Sequence, residues 1–302
     1  MNRSGGLEVR TLLLVSLVAL ALSSAARADF RAPVDDPNLV MGNPSAATND
    51  PANRNNYLME RPFFAESFND KNGTPNWVSW RLISSDIGHA PRVPFYADTQ
   101  LPADFKHVDP TDYTGDGFDR GHMCDHGDRS SSVEASTATF TMANMIPQSP
   151  HVNQKAWAHL EEYCRQLAQQ GKTLYVVSGP SGQGGTGSHG AMTIVGQAHQ
   201  VVVPAKCWKV IMVLDHSAAT PSADIQQVNA STRMIAVIMP NDVSVGDDWT
   251  GFRVPVADVE KLTGFKFFSS VPAAVIDPLK ASADTTFVPP PAPFVRGTFI
   301  SH

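Results

Sequence analysis

The chain of 302 residues holds only three cysteines, 8% aromatic side chains and 17% charged ones, and each shortage excludes a class of protein. Three cysteines cannot staple a disulfide-rich scaffold, and an odd number leaves at least one thiol unpaired within the chain. So low a charge content beside 42% hydrophobic residues is globular composition, not that of a disordered chain. Positive charge is in deficit: 23 Lys and Arg stand against 29 Asp and Glu, a formal charge of -6. That counts against a partner bound mainly by phosphate neutralisation, although one local basic groove with a bound divalent cation would suffice for an enzyme. Long apolar runs are missing too, apart from Leu12 to Leu22, which falls short of the roughly 20 residues a membrane span needs. No G-x-S-x-G elbow is present, and Ser178-Gly179-Pro180-Ser181 does not fit one. No cluster of His, Cys or carboxylates has metal-ligand spacing, which argues against a zinc hydrolase.

What is there begins with an export signal. Arg3 and Arg10 precede the apolar run, and Ala26-Arg27-Ala28 supplies a small-x-small cleavage site, so residues 1–28 read as a signal peptide and the mature chain starts at Asp29. An uncleaved anchor is the rival reading. No Cys follows the cleavage site, which disfavours a lipoprotein. Removing three arginines and one glutamate with the leader takes the formal charge from -6 to -8. Export to a periplasm or to the medium means an oxidising compartment, where Cys164 with Cys207 is the preferred pair and Cys124 stays free. No stable membrane association follows once the leader is cut.

Residues 29–56, rich in Pro, Asn, Asp and Ala without periodicity, read as an extended arm ahead of a single domain over 57–272. Asn76 to Ser84, Thr173 to Ser178, Gln200 to Val203, Trp208 to Leu214 and Met234 to Met239 read as strands of a central, largely antiparallel sheet. His151 to Gln170 sets Val152, Ala156, Trp157, Leu160, Tyr163, Cys164 and Leu167 at helical spacing, with Gly171 as the stop. Val256 to Leu262 is a second short helix. Residues 273–302, with Pro289-Pro290-Pro291 and Pro293, read as a stiff Pro-rich tail. The fold class expected is therefore α+β, a sheet flanked by helices.

The informative stretch runs from Asp119-Arg120-Gly121-His122, through Asn144 in MANMIPQSP, to Asn153 and Glu161 in VNQKAWAHLEEY. It resembles the DNA/RNA non-specific endonuclease family, whose members carry a DRGH motif and a downstream N-Q-x-x-W-x-x-L-E helix. The resemblance extends loosely from Asn76 to about Phe268. It implies a ββα-metal core, a Mg²⁺ cofactor with Mn²⁺ or another divalent cation as substitute, and hydrolysis of DNA and RNA phosphodiesters to 5′-phosphate ends with little sequence or sugar specificity. A catalytically weak exported nucleic-acid-binding module is the alternative, and a homodimer is one arrangement the sequence allows.

The chemistry asks for an activated water, a counter-charge for the crowded phosphorus and help for the departing 3′ oxygen. His122 suits the first, because an imidazole takes a proton efficiently near neutral pH. Asn153 offers a hard, neutral amide oxygen fit for Mg²⁺, with helix capping as its ordinary alternative. Glu161, eight residues on, is turned about 80° and displaced about 12 Å in an ideal helix, so it would act through metal-bound water; an exposed helix glutamate is the plainer reading. Arg120 can grip a phosphate bidentately. Arg92 lies where the family places another phosphate-binding arginine, with a surface salt bridge as its rival. Asn144 resembles an asparagine near the scissile phosphate, with a buried turn-forming role as the alternative. Asp119 orients the motif, since a carboxylate aimed at phosphate would repel it. After DRGH the family often has a Pro-containing apolar loop, whereas Met123-Cys124-Asp125-His126-Gly127-Asp128 is polar; it reads as a surface loop, with recruitment of a second ion as the other possibility.

Overall fold

The computed structural model describes Met1 and residues 35–289. The expected signal peptide, residues 29–34 of the arm and residues 290–302 of the tail lie outside the described residues. Strands β1 (Tyr57–Glu60), β2 (Ala65–Asn69) and β3 (Thr74–Leu82) open the chain, followed by β4 (Asp119–His122), helix α1 (Val133–Ala138) and β5 (Met145–Gln148). A π-turn (Val152–Ala156) leads into α2 (Trp157–Gln169) and then β6 (Thr173–Ser181). Four short strands, β7 (Gly185–Gly187), β8 (Gly190–Met192), β9 (Ile194–Val195) and β10 (Val201–Val202), precede β11 (Lys206–Leu214), α3 (Pro221–Asp224), β12 (Arg233–Pro240), α4 (Val256–Thr263) and α5 (Ala273–Lys280).

Six strands form one sheet in the order β1-β2-β3-β6-β11-β12, and every neighbouring pair is antiparallel. The expected antiparallel sheet is therefore observed, except that the strand expected at Gln200 to Val203 lies outside it and pairs only with β9. Alternation along the strands divides the side chains between two apolar layers. On β11, Cys207, Ile211 and Val213 face the layer that holds α2, while Trp208, Val210, Met212 and Leu214 face the layer that holds α4 and α5. α2 is amphipathic as its spacing predicts, burying Trp157, Leu160, Cys164 and Leu167. Gly171 ends it in a left-handed conformation, φ +91°, which costs a glycine little.

Three expectations need correction. From residue 36 onward the segment ahead of β1 is no extended arm: Val40, Met41 and Ala47 are buried in the α4/α5 layer, and Asn38 donates to the Arg61 carbonyl. Turns supplied these contacts, so no periodic pattern announced them. At the other end α5 packs through the buried Ile276, and the domain continues past residue 272. Cys124, Cys164 and Cys207 are all free and all buried in the same apolar layer, so the pairing of Cys164 with Cys207 is not formed; the three thiols serve as small core side chains. No helix among the described residues is long and apolar enough to cross a membrane.

Candidate active site

β4 and β5 form a separate two-stranded ribbon against the α2 face of the sheet, pairing Asp119 with Gln148 and His122 with Met145. The DRGH motif is thus a strand, and period-two alternation sends Arg120 and His122 to one side and Asp119 and Gly121 to the other. Gly121 is required by its neighbour: a Cβ there would stand 2.2 Å from Gln148 Oε1. Ribbon, π-turn and α2 follow in order, giving the ββα arrangement.

Arg120 and His122 meet two phenylalanines. The Arg120 guanidinium lies 5.3 Å from the Phe95 ring centre and Arg92 lies 4.9 Å from that of Phe140. The His122 ring is 5.5 Å from Phe95 and sits edge-on to Phe140 at 5.0 Å. These two rings gather Arg92, Arg120 and His122 into one site, and Arg92 is exposed there. Arg120 is further held by Nε and Nη2, which donate to the Pro110 carbonyl at 3.2 and 2.7 Å. Neither phenylalanine stands out in the sequence, since both fall in irregular segments.

His122 is only 7% exposed, and its Nε2 has no hydrogen-bond partner among the described residues. Burial first, then the charges of Arg92 and His126, outweigh Asp125 and depress the imidazole to about 3. It is therefore neutral, with a lone pair free to take a proton.

Asn153 lies inside the π-turn, not at a helix N-cap. Its Nδ2 donates to Asp119 Oδ2 at 2.8 Å, as does Gln154 Nε2. With the amide nitrogen committed, the Asn153 oxygen accepts no hydrogen bond among the described residues. A hard neutral oxygen oriented by a carboxylate behind it fits a divalent cation that keeps most of its waters. Glu161 is buried one α-helical face further on, where Oε1 accepts from Lys209 Nζ at 3.1 Å and Oε2 has no protein donor among the described residues. Burial raises the Glu161 carboxyl to about 8 against the pull of Lys209.

Asn144 departs from expectation. It is fully buried, its Oδ1 accepts from the Cys124 amide at 2.9 Å, and its Nδ2 donates to the carbonyls of Cys124 and Thr139, both at 2.9 Å. Its two amide hydrogens and one oxygen lone pair are spent on the backbone of Cys124 and Thr139, the buried turn-forming role that stood as the alternative. The segment after the DRGH motif is no polar surface loop. Asp128 is 1% exposed and accepts from Trp80 Nε1 at 3.0 Å; Asp125 and Asp128 both pair with Arg165 of α2. The two extra carboxylates are internal ion-pair partners that lash the DRGH segment to the helix.

Residues 41–274 match the DNA/RNA non-specific endonuclease family. The chain belongs to that family. The endonuclease is 41% identical over 248 residues to a nuclease of Nostoc sp., covering 82% of this chain and 86% of the relative. It is 31% identical to nuclease C1 of Cunninghamella echinulata over 242 residues, 77% of this chain and 90% of that one. Mitochondrial endonuclease G of Bos taurus is 29% identical over 203 residues, 65% of this chain and 63% of that one. In the crystal structure of the EndoG/EndoGI complex one chain shares the fold, with TM-score 0.63 and 24% identity over 81% of this chain and 96% of that chain. The endonuclease is accordingly a hydrolase acting on nucleic acid.

Proposed function

We propose that the protein is an exported, Mg²⁺-dependent endonuclease that cuts DNA and RNA with little sequence or sugar preference and leaves 5′-phosphate ends. One observation carries the reading: Asp119 ties the strand that bears His122, whose buried Nε2 has no protein partner, to the turn that bears Asn153, whose amide oxygen is left open on a half-buried residue. Buried polar atoms are almost always satisfied, so the unpartnered imidazole nitrogen at a family motif points to a group with work beyond packing, and the carboxylate-oriented amide oxygen beside it is the donor a hard cation takes.

In the reaction, Arg92 and Arg120 hold the phosphate and align it with a water beside His122. The neutral imidazole of His122 takes the proton of that water as its oxygen bonds to phosphorus and the bond to the 3′ oxygen breaks; the 3′ oxygen leaves as a hydroxyl after protonation by solvent, and the phosphate remains on the 5′ side. A divalent cation held by Asn153, with Glu161 acting through its waters, would neutralise charge developing on the phosphate oxygens. Since all these contacts address phosphate and none a base edge, both nucleic acids are substrates.

The test is incubation of residues 29–302 with supercoiled plasmid and with RNA, in Mg²⁺ or EDTA, beside a folded His122→Ala control. Cation-dependent cutting of both, lost in the variant, is expected, and end-labelling should find 5′-phosphates. A well-folded enzyme that cuts neither substrate would overturn the reading. N-terminal sequencing of the exported protein, expected to begin at Asp29, checks the localisation.

A further inference from the structure

Alternation on β11 places Lys209 on the α2 side, between Cys207 and Ile211, in a row that is otherwise apolar. Its side chain is 1% exposed. The ammonium makes one hydrogen bond among the described residues, to Glu161 Oε1 at 3.1 Å, and stands 4.3 Å from the ring centre of Trp157 and 5.5 Å from that of Trp80. Trp157 and Glu161 are four residues apart and so lie on one face of α2, one turn of chain after Asn153. Lys209 thus grips Trp157 and Glu161 on one face of α2, the helix that begins directly after the π-turn holding Asn153.

A buried ion pair is poor currency for stability, because apolar side chains of similar volume commonly do as well or better. Its persistence in the middle of an apolar strand row asks for another reason. We infer that Lys209 is a positioning residue for cation binding: by holding Glu161 Oε1 from below, against the indole of Trp157, it fixes the carboxylate so that Oε2 faces the waters of the cation at Asn153. The inference rests on the proposed function, in which that cation is bound.

The experiment is calorimetric titration of Mn²⁺ into the full mature chain without nucleic acid, for wild type, Lys209→Met, Glu161→Gln, the double variant and Asn153→Ala. Lys209→Met should weaken Mn²⁺ binding about tenfold, the scale on which groups behind a ligand act, with a thermal midpoint that falls in the single variant, whose Glu161 is left buried without its cation, and recovers in the double variant. In the Glu161→Gln background the same substitution should change the affinity less than twofold, since the carboxylate it positions is already gone. The double variant leaves no lone buried charge and keeps the test open if Lys209→Met does not fold. Lys209→Arg, which restores a cation, should recover part of the affinity. Wild-type affinity in Lys209→Met, or a further tenfold loss in the double variant over Glu161→Gln, would overturn the inference. Unchanged binding in both Asn153→Ala and Glu161→Gln would instead overturn the cation site itself.

Discussion

Asp119 and Asn153 are joined by a 2.8 Å hydrogen bond from the amide nitrogen to the carboxylate, and that bond decides which end of the amide is available. Asp119 therefore acts from behind the site. Asp119→Ala should raise the Mg²⁺ concentration needed for half-maximal cutting about tenfold while leaving kcat at saturating Mg²⁺ within a few-fold of wild type. A Mg²⁺ titration of plasmid cleavage separates the two; a pure kcat loss would contradict this role.

His122→Ala should lower kcat by about 10² to 10⁴. The same residue sets a stability signature. Its pKa is about 3 folded and about 6.5 unfolded, so its contribution to stability is complete above 6.5 and is lost as the pH falls from there toward 3. Calorimetry from pH 7 to pH 4 should find a shallower decline of Tm in the variant than in wild type. Parallel curves would show that the imidazole is not buried in its neutral form.

Asn144→Ala removes three buried hydrogen bonds to the backbone of Cys124 and Thr139. The cost should be about 3 kcal/mol in denaturant unfolding, and the folded fraction should keep far more activity than His122→Ala. Wild-type stability with abolished turnover would return Asn144 to the substrate.

Gly121→Ala drives a methyl into Gln148, whose Oε1 and Cβ stand 2.2 and 2.6 Å from the ideal Cβ position. The ribbon must open or Gln148 must move, so a loss of about 1–3 kcal/mol is expected, together with reduced kcat as His122 shifts. An unfolding midpoint equal to wild type would show that Gln148 yields freely.

How much of this was legible beforehand varies with the physics of each part. β3, β6, β11 and β12 read directly because their alternating apolar residues face two packed layers, and α2 reads from its spacing and its glycine stop. β1 and β2 do not, since YLME and AESFN gain burial from neighbours and not from their own composition. His122 and Asn153 stand out through motif order. Lys209 cannot, because a lysine inside a strand reads as a solvent-facing position. Asp125 and Asp128 misled for a related reason: carboxylates suggest a surface until Arg165, forty residues on in the chain, is placed beside them.

The π-turn of Val152–Ala156 carries a consequence for how this chain can change in length. Lys155 there is non-helical, φ -124° and ψ -106°, and the turn holds one residue more than an α-helix would. Deleting that residue would restore a regular helix and swing everything before it by about 100° relative to everything after, turning Asn153 away from Glu161 without altering either side chain. Between Ser149 and Glu161 a residue gained or lost therefore changes how Asn153 faces Glu161, whereas a substitution leaves that facing as it is.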